Sequence, residues 1–270
     1  MKIAALQMVS TPDVARNLDT ARRLIGQAAA AGAELVALPE YFCFMGHSDR
    51  DKLAVAEAPG SGPVQQMLAD AAHEHRVWVI GGTLPIRCDD PDRVLNANCV
   101  YGPNGRLVAR YDKIHLFRFE TVTDGVRESY DEGRAIQPGR DAMAFAAGPI
   151  RVGLSVCYDL RFPELYRALM TPPCDLIAVP AAFTWTTGRA HWELLLRARA
   201  VENQCYVIAP AQGGRHENGR RTWGHSMVVD PWGDVVAVQP EGEGVVAAEL
   251  DPARIAAVRA QLPALQHRFL

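Results

Sequence analysis

Three residues of this chain have side chains suited to covalent chemistry and stand where a fold would hold them. Glu40 closes "ELVALPE", Lys113 closes "RLVARYDK" and Cys157 closes "RVGLSVC". Each follows an aliphatic or β-branched run, and the C-terminal ends of strands are where α/β proteins gather their sites. A carboxylate in such a place loses water and its pKa rises, which suits a general base near neutral pH. Lys113 is one of three lysines against 25 arginines. Ordinary positive charge is therefore written here as arginine, and a lysine in "YDKIHLF" points to a need for a compact ammonium. Cys157 stands where a strand gives way to a helix opening at "RFPEL". Helix N-terminal N–H groups at such a seam stabilise a thiolate or an oxyanion. Singly, each residue has a plain structural reading: a solvated strand end, a surviving lysine, a buried thiol. Together, a base, a cation and a thiol are the parts of acyl transfer through a thioester.

The elements that must position them echo one another. "KIAALQM" (2–8) matches "RVGLSVC" (151–157), and "AELVALPE" (33–40) matches "CDLIAVPA" (174–181). "RVWVIGGT" (76–83) matches "QCYVIAPA" (204–211), and "CVYGPNGRLVA" (99–109) matches "MVVDPWGDVVA" (227–237). Each half reads strand, helix, strand, helix, strand, then a hairpin over a Pro-x-Gly turn. Apolar spacing and start signals predict helices over 14–31, 61–75, 162–170 and 190–203. The runs Leu35 to Leu38 and Leu176 to Val179 do not alternate, as expected of strands buried on both faces. The stretch 111–150 reads as irregular. With no linker between the halves, the expectation is one α/β domain over 1–270. It is a four-layer αββα sandwich of two packed mixed sheets with a pseudo-twofold internal repeat.

Bulk properties exclude several classes. A net charge of −3 gives no reason to expect a nucleic-acid partner. No apolar run reaches the roughly 18 residues of a membrane span, and the N-terminus lacks the pattern of a secretory signal, so the expected location is the cytoplasm. The six cysteines form no C-x-x-C pair, which disfavours zinc and thioredoxin-like readings. "GLSVC" lacks the last glycine of a serine-hydrolase elbow. His73 and His75, two apart, point to different faces of a helix and make no metal site. No phosphate-binding G-x-x-x-x-G-K-[ST] run is present. His115, His191 and His225 read as hydrogen-bonding structural residues.

The motifs "LPE" (38–40), "YDKIHLF" (111–117) and "VCYDLRFPEL" (156–165) resemble those of the nitrilase superfamily, the carbon–nitrogen hydrolases, and the likeness runs over essentially the whole chain. "GRAHWELLLRARAVENQCYV" and "AQGGRHENGRRTWGHSMVVDPWG" resemble the amidase branch that includes deaminated glutathione amidase and omega-amidase. The resemblance implies the αββα sandwich and an enzyme that needs no metal or organic cofactor. It implies that Glu40 takes the thiol proton, that Cys157 attacks the amide carbon, and that Lys113 and the N–H of Tyr158 bind the oxyanion. Ammonia leaves, and water activated by Glu40 releases the acid. A second, positioning glutamate precedes the nucleophile strand in this family. Counting back seven residues from Gly139 reaches Glu132, the choice made here, while Glu128 offers the alternative "ES" dipeptide.

The expected substrate is a small anionic amide, with Tyr158, Arg161 and Phe183 as oxyanion and substrate-binding residues. Arg118, Arg127, Arg134, Arg140, Arg189 and Arg215 are further arginines from which a carboxylate partner can be drawn. Alternatives on the same triad are an omega-amidase acting on α-keto-acid amides, an N-carbamoyl amine hydrolase and a nitrilase. A catalytically silent binding protein is the alternative of a different class. The partners expected are a small-molecule amide and further copies of this chain, as a homodimer or higher homo-oligomer.

Overall fold

The computed structural model describes the backbone of residues 1–123 and 126–269 and the side chains of residues 1–120 and 129–269. The first half runs β1 (Lys2–Gln7), α1 (Val14–Ala30), β2 (Leu35–Ala37), α2 (Pro63–His75), β3 (Trp78–Ile80), β4 (Leu84–Arg87), β5 (Val94–Tyr101) and β6 (Leu107–Asp112). A ribbon of β7 (Arg118–Thr123) and β8 (Val126–Asp131) follows, then β9 (Met143–Ala147). The second half runs β10 (Ile150–Leu154), α3 (Pro163–Ala168), β11 (Leu176–Ala178), α4 (Trp185–Asn203), β12 (Tyr206–Ala209), β13 (Ser226–Val229) and β14 (Val235–Gln239). The chain closes with β15 (Gly244–Glu249) and α5 (Pro252–Gln261).

The repeat is real and its symmetry is visible in the sheets. One sheet has the order β15-β1-β2-β3-β5, with β4 and β6 both on β5, and the other has β9-β10-β11-β12-β13-β14. In each, three parallel strands lie at the centre, β1-β2-β3 and β10-β11-β12, flanked by antiparallel partners. Parallel strands require crossover helices, and these cover the outer faces. The strand that flanks β1 is β15, from the far end of the chain, whereas β10 is flanked by its immediate predecessor β9.

Alternation along the strands builds the layers. Ile3, Ala5, Leu35, Ala37 and Ile80 point to the second sheet and pack with Val152, Leu154, Leu176 and Ala178. Their neighbours Ala4, Leu6, Val36, Leu38 and Val79 point the other way, onto Leu24 and Ile25 of α1 and Leu68 of α2. This is why these strands read as continuous apolar runs.

Most sequence expectations hold at element level, with corrections at the ends. The helix expected over 190–203 starts at Trp185, because the Thr184 side chain accepts the Thr187 N–H and caps it earlier. The stretch read as irregular holds the β7–β8 ribbon, whose strands pair with each other, and β9, which pairs with the next strand, β10. Helix α5 was not expected, although Asp251 caps it and Pro252 opens it.

Candidate active site

The sandwich brings three strand ends to one point. Glu40 is the third residue after β2, Lys113 follows β6 directly, and Cys157 follows β10. Lys113 is fully buried, and its Nζ donates to Glu40 Oε1 at 2.8 Å and to Glu132 Oε2 at 2.8 Å. Glu132 is thus at the centre of the group, as counted from Gly139. The ribbon explains its place: the Glu132 N–H donates to Phe117 O at 3.0 Å, and the Phe117 N–H donates back to Glu132 Oε2 at 2.7 Å. Phe117 and Glu132 thus pair at the base of the ribbon, just before β7 and just after β8. The Tyr41 hydroxyl adds a 2.6 Å hydrogen bond to Glu132 Oε1. The backbone of Glu128 pairs with Thr121 in the ribbon, and its side chain lies outside the described residues, as does that of Arg127.

Glu40 is held on every side. Its Oε1 also accepts from Asn96 Nδ2 at 3.0 Å, and its Oε2 accepts the Ala182 N–H from the second half at 3.0 Å. The side-chain amide of Gln212 donates to Glu40 O at 3.0 Å. Such a carboxylate cannot rotate away from its neighbours, as a proton carrier must not.

Cys157 opens a short 3-10 turn, Cys157–Arg161, in the left-handed region at φ 50°. That backbone costs a side-chain-bearing residue about 1–3 kcal/mol and persists only where its surroundings enforce it. The enforcing contacts are evident. The Cys157 N–H donates to Pro180 O at 2.9 Å, which commits it. Tyr158 comes next in the turn, where backbone N–H groups lack intrahelical acceptors. Asp159, fully buried, accepts from Val156 N at 2.8 Å and Tyr111 Oη at 2.7 Å through Oδ2. Its Oδ1 accepts the His115 N–H at 3.0 Å and lies 2.7 Å from His115 Nδ1. One carboxylate therefore clamps the Cys157 turn to the segment on either side of Lys113. His115 is structural, as read from the sequence, and stacks on Phe162 with centroids 3.7 Å apart. Arg199, also buried, donates to Leu160 O at 2.7 Å and steadies the far end of the turn.

The electrostatics divide the roles. Burial raises Glu40 above the ordinary carboxylate value; Lys113 opposes this and Glu132 adds to it. Burial pushes Glu132 the same way, but the charge of Lys113 and hydrogen bonds from Lys113, Tyr41 and Phe117 outweigh it and hold Glu132 low. Burial works against the Lys113 charge, and Glu132 and Glu40 more than restore it. Burial and the Glu40 charge push the Cys157 thiol well up, against the pull of Lys113. Cys157 and Glu40 line the same recess. A neutral thiol thus faces the one carboxylate whose pKa is raised, while the other stays ionised beside the lysine. Two carboxylates about one cation separate in this way because only one can be fully paired.

Two recesses meet at Cys157. The larger, about 550 Å³ counting its open mouth, is floored by Glu40 and Glu132 and walled by Asp49, Tyr130, Arg220 and Arg221. The smaller, about 210 Å³ on the same measure, is lined by Tyr158, Arg161, Phe183 and Thr187. Arg161 lies over the rings of Tyr158 and Phe183, at 5.6 and 5.4 Å from their centroids. The structure thus gathers Glu40, Lys113, Glu132 and Cys157 into one group and sets Tyr158, Arg161 and Phe183 around the smaller recess. The other arginines drawn from the sequence do not belong: Arg118, Arg134, Arg140, Arg189 and Arg215 are exposed and line neither recess. Arg220 and Arg221 do line one and were missed, as were Asn96, Asp159 and Gln212. For Asn96 and Gln212 the available signal was their position inside the stretches "NAN" and "AQGG".

Comparison with known proteins agrees over the full chain. The family model described as carbon-nitrogen hydrolase matches residues 2–260. A deaminated glutathione amidase of Synechocystis sp. is 43% identical over 268 residues, covering 98% of this chain and 97% of that protein. Omega-amidase NIT2-A of Xenopus laevis is 36% identical over 267 residues, covering 99% of this chain and 94% of that one. Among solved structures, the C. elegans NitFhit protein superposes with a TM-score of 0.90 at 38% identity; the match covers 99% of this chain and 64% of that longer one.

Proposed function

The chain belongs to the carbon–nitrogen hydrolase family and is an amidase, and we propose that it hydrolyses a small anionic carboxamide of the deaminated glutathione type through a thioester on Cys157. The observation that carries this reading is the meeting of three buried groups at one recess: Glu40 and Cys157 both line it, and the Lys113 ammonium lies 2.8 Å from Glu40 Oε1. The thiol gives its proton to Glu40 as sulfur attacks the carbonyl carbon. The oxyanion is bound by the Lys113 ammonium and the Tyr158 N–H, donors fixed before the charge develops. Glu40 then returns the proton to the departing nitrogen. Ammonia leaves from a primary carboxamide, and an amine leaves from an N-substituted one. Water enters where the amine left, gives a proton to Glu40, and its oxygen releases the acid from sulfur. Glu132 stays ionised, holds Lys113, and orients the nitrogen. Arg161, over Phe183, binds the acyl group's carboxylate in the smaller recess.

The 36% identity to an omega-amidase favours a second reading on the same residues, with an α-keto-acid amide as substrate. Self-association is part of the proposal. It is supported by exposed Leu194, Val201 and Trp232, apolar side chains on α4 and on the β13–β14 turn that packs against it. Among the described residues no helix is long and apolar enough to cross a membrane. Six free thiols suit a reducing compartment such as the cytoplasm.

The test is acid formation, with ammonia followed in parallel, from deaminated glutathione, α-ketoglutaramate, glutaramate, an N-carbamoyl amine and a simple nitrile, beside Cys157→Ala. Cys157-dependent hydrolysis of the acidic amides is expected. Faster hydrolysis of a neutral aliphatic amide or of the nitrile would overturn the substrate assignment.

A further inference from the structure

Two of the three lysines in this chain are buried, and both stand at the site. Lys113 touches the reacting group directly. Lys52 reaches it at one remove. Burying an ammonium is costly unless it is paired, so its partners are informative. Lys52 lies in the short 3-10 turn Asp49–Leu53, which Ser48 closes by donating its N–H and its hydroxyl to the two oxygens of Asp51, at 2.9 and 2.6 Å. From this turn its Nζ donates to Asp49 Oδ1 at 3.1 Å and lies 4.7 Å from the centroid of the Tyr41 ring. Asp49 Oδ1 also accepts from Arg220 Nη2 at 3.1 Å. Burial pushes Asp49 up, but Lys52 and Arg220 hold it below the usual range, so it stays ionised. One carboxylate between two cations leaves positive charge in excess beside the Tyr41 ring.

Tyr41 carries that charge to the reacting group. Its backbone stands in the left-handed region at φ 58°, and its N–H donates to Thr83 Oγ1 at 2.9 Å. Its hydroxyl donates to Glu132 Oε1 at 2.6 Å. Tyr41 lines both the larger recess and a narrow space behind it, whereas Lys52 lines only the space behind. A cation over the face of a phenol draws electron density from the ring and makes its O–H a stronger donor. A stronger donor to a carboxylate favours the ionised form.

Resting on the amidase reading above, we propose that Lys52 is a positioning residue that acts through the Tyr41 ring: its charge strengthens the hydrogen bond from Tyr41 to Glu132 and so holds Glu132 and Lys113 as an ion pair beside Cys157. The titratable groups that face Glu132 are Lys113, Tyr41, Glu40 and Cys157. Those that face Lys52 are Asp49 and Tyr41, with Arg220 beyond Asp49.

The test is the acid limb of kcat/KM for whichever of deaminated glutathione and α-ketoglutaramate the wild type hydrolyses faster. The acid limb of Cys157 alkylation by iodoacetamide, followed by the mass of its peptide, is a second readout that needs no substrate. Lys52→Gln removes the charge and leaves a donor for Asp49. Loss of a positive charge loosens the hold on the ionised carboxylate, so both limbs should move up, by about half a pH unit to one unit, the scale of a desolvated cation–π contact. Below the limb this is a loss of about threefold to tenfold in rate. Tyr41→Phe removes the hydrogen bond and should move the limbs up by itself. Added to Tyr41→Phe, Lys52→Gln should move them further by no more than about 0.2 unit, because the route between the two groups is gone. Asp49→Asn removes the counter-charge and should move the limbs down; it carries the test if Lys52→Gln does not fold, again with the effect lost in the Tyr41→Phe protein. Limbs unmoved by these variants, or moved equally with and without the Tyr41 hydroxyl, overturn the proposal. If the wild type hydrolyses neither amide, the amidase reading falls, and the alkylation limbs still decide whether Lys52 acts through Tyr41.

Discussion

The two halves of this protein share a scaffold and divide the chemistry. The repeat sets Met8 after β1 where Cys157 follows β10, and Ala181 after β11 where Glu40 follows β2. Met8 and Ala181 are buried and apolar, so one of the two equivalent positions in each pair is chemically silent. Backbone conformation differs with it. Cys157 and Tyr41, which follows Glu40, have positive φ, at 50° and 58°, and neither Met8 nor Ala182 does. The lesson is that the repeat supplies equivalent positions, and the residue type at each sets which of them can take part in the proposed chemistry. In the proposed mechanism the nucleophile comes from one half and its base from the other. Contacts across the halves, Ala182 N to Glu40 Oε2 and Gln212 Nε2 to Glu40 O, make the site depend on their union.

That contrast can be broken most sharply at the paired positions. Cys157→Ala should lower kcat/KM by at least about 10⁴-fold with the thermal midpoint nearly unchanged, the scale of losing a nucleophile. Met8→Ala, at the equivalent position, should instead cost about 2–5 kcal/mol of stability through an apolar cavity and leave turnover close to wild type. Calorimetry and steady-state kinetics on the two proteins should show opposite patterns.

Glu40→Gln should cost about 10²–10⁴-fold in kcat. Its stability effect has the other sign. Burial raises the folded-state pKa of Glu40, so its contribution is fully favourable below the unfolded value and is lost as pH rises through the folded one. At neutral pH the charged carboxylate costs stability, and the Gln variant should melt at or above the wild-type temperature. Glu132 behaves oppositely: its lowered pKa gives stability present above the unfolded value and lost as pH falls through the folded one. The acid limb of kcat/KM should therefore lie above the ordinary glutamate pKa and belong to the coupled group as a whole.

Lys113→Arg keeps the charge and loses the shape. A planar guanidinium cannot fit a fully buried site built around one nitrogen within 2.8 Å of both Glu40 and Glu132. A fall of about 10²–10³-fold in kcat is expected, the range for a lost oxyanion donor. Asp159→Asn should show the smallest of these rate effects, about tenfold. The side-chain amide retains one acceptor of the two that hold Tyr111 and His115, and a stability loss of about 1–3 kcal/mol should accompany it.

The contrast between the halves also explains what was legible in the sequence. Glu40, Lys113 and Cys157 could be read because each ends a strand-like run, and Glu132 because its spacing to Gly139 could be counted. The strand–helix alternation and the hairpins were legible because they repeat. Asp159 was not, because Tyr111 and His115 meet it only after the fold has brought their segment to the Cys157 turn. Arginines are indistinguishable along a chain, so Arg220 and Arg221 could not be told from exposed Arg118 or Arg215 before the fold placed them. The β7–β8 ribbon escaped notice because its pairing, rather than its composition, makes it a sheet, and its purpose is to return the chain to Phe117.

The central claim is a thioester formed between the halves, and partitioning tests it most directly. Two amides that share an acyl group but differ in leaving amine would be hydrolysed with hydroxylamine present, and the ratio of hydroxamate to acid measured for each. A common acyl-enzyme on Cys157 predicts the same ratio from both substrates and no product of either kind from Cys157→Ala. A ratio that depends on the leaving amine, or hydroxamate formed without Cys157, would contradict the account.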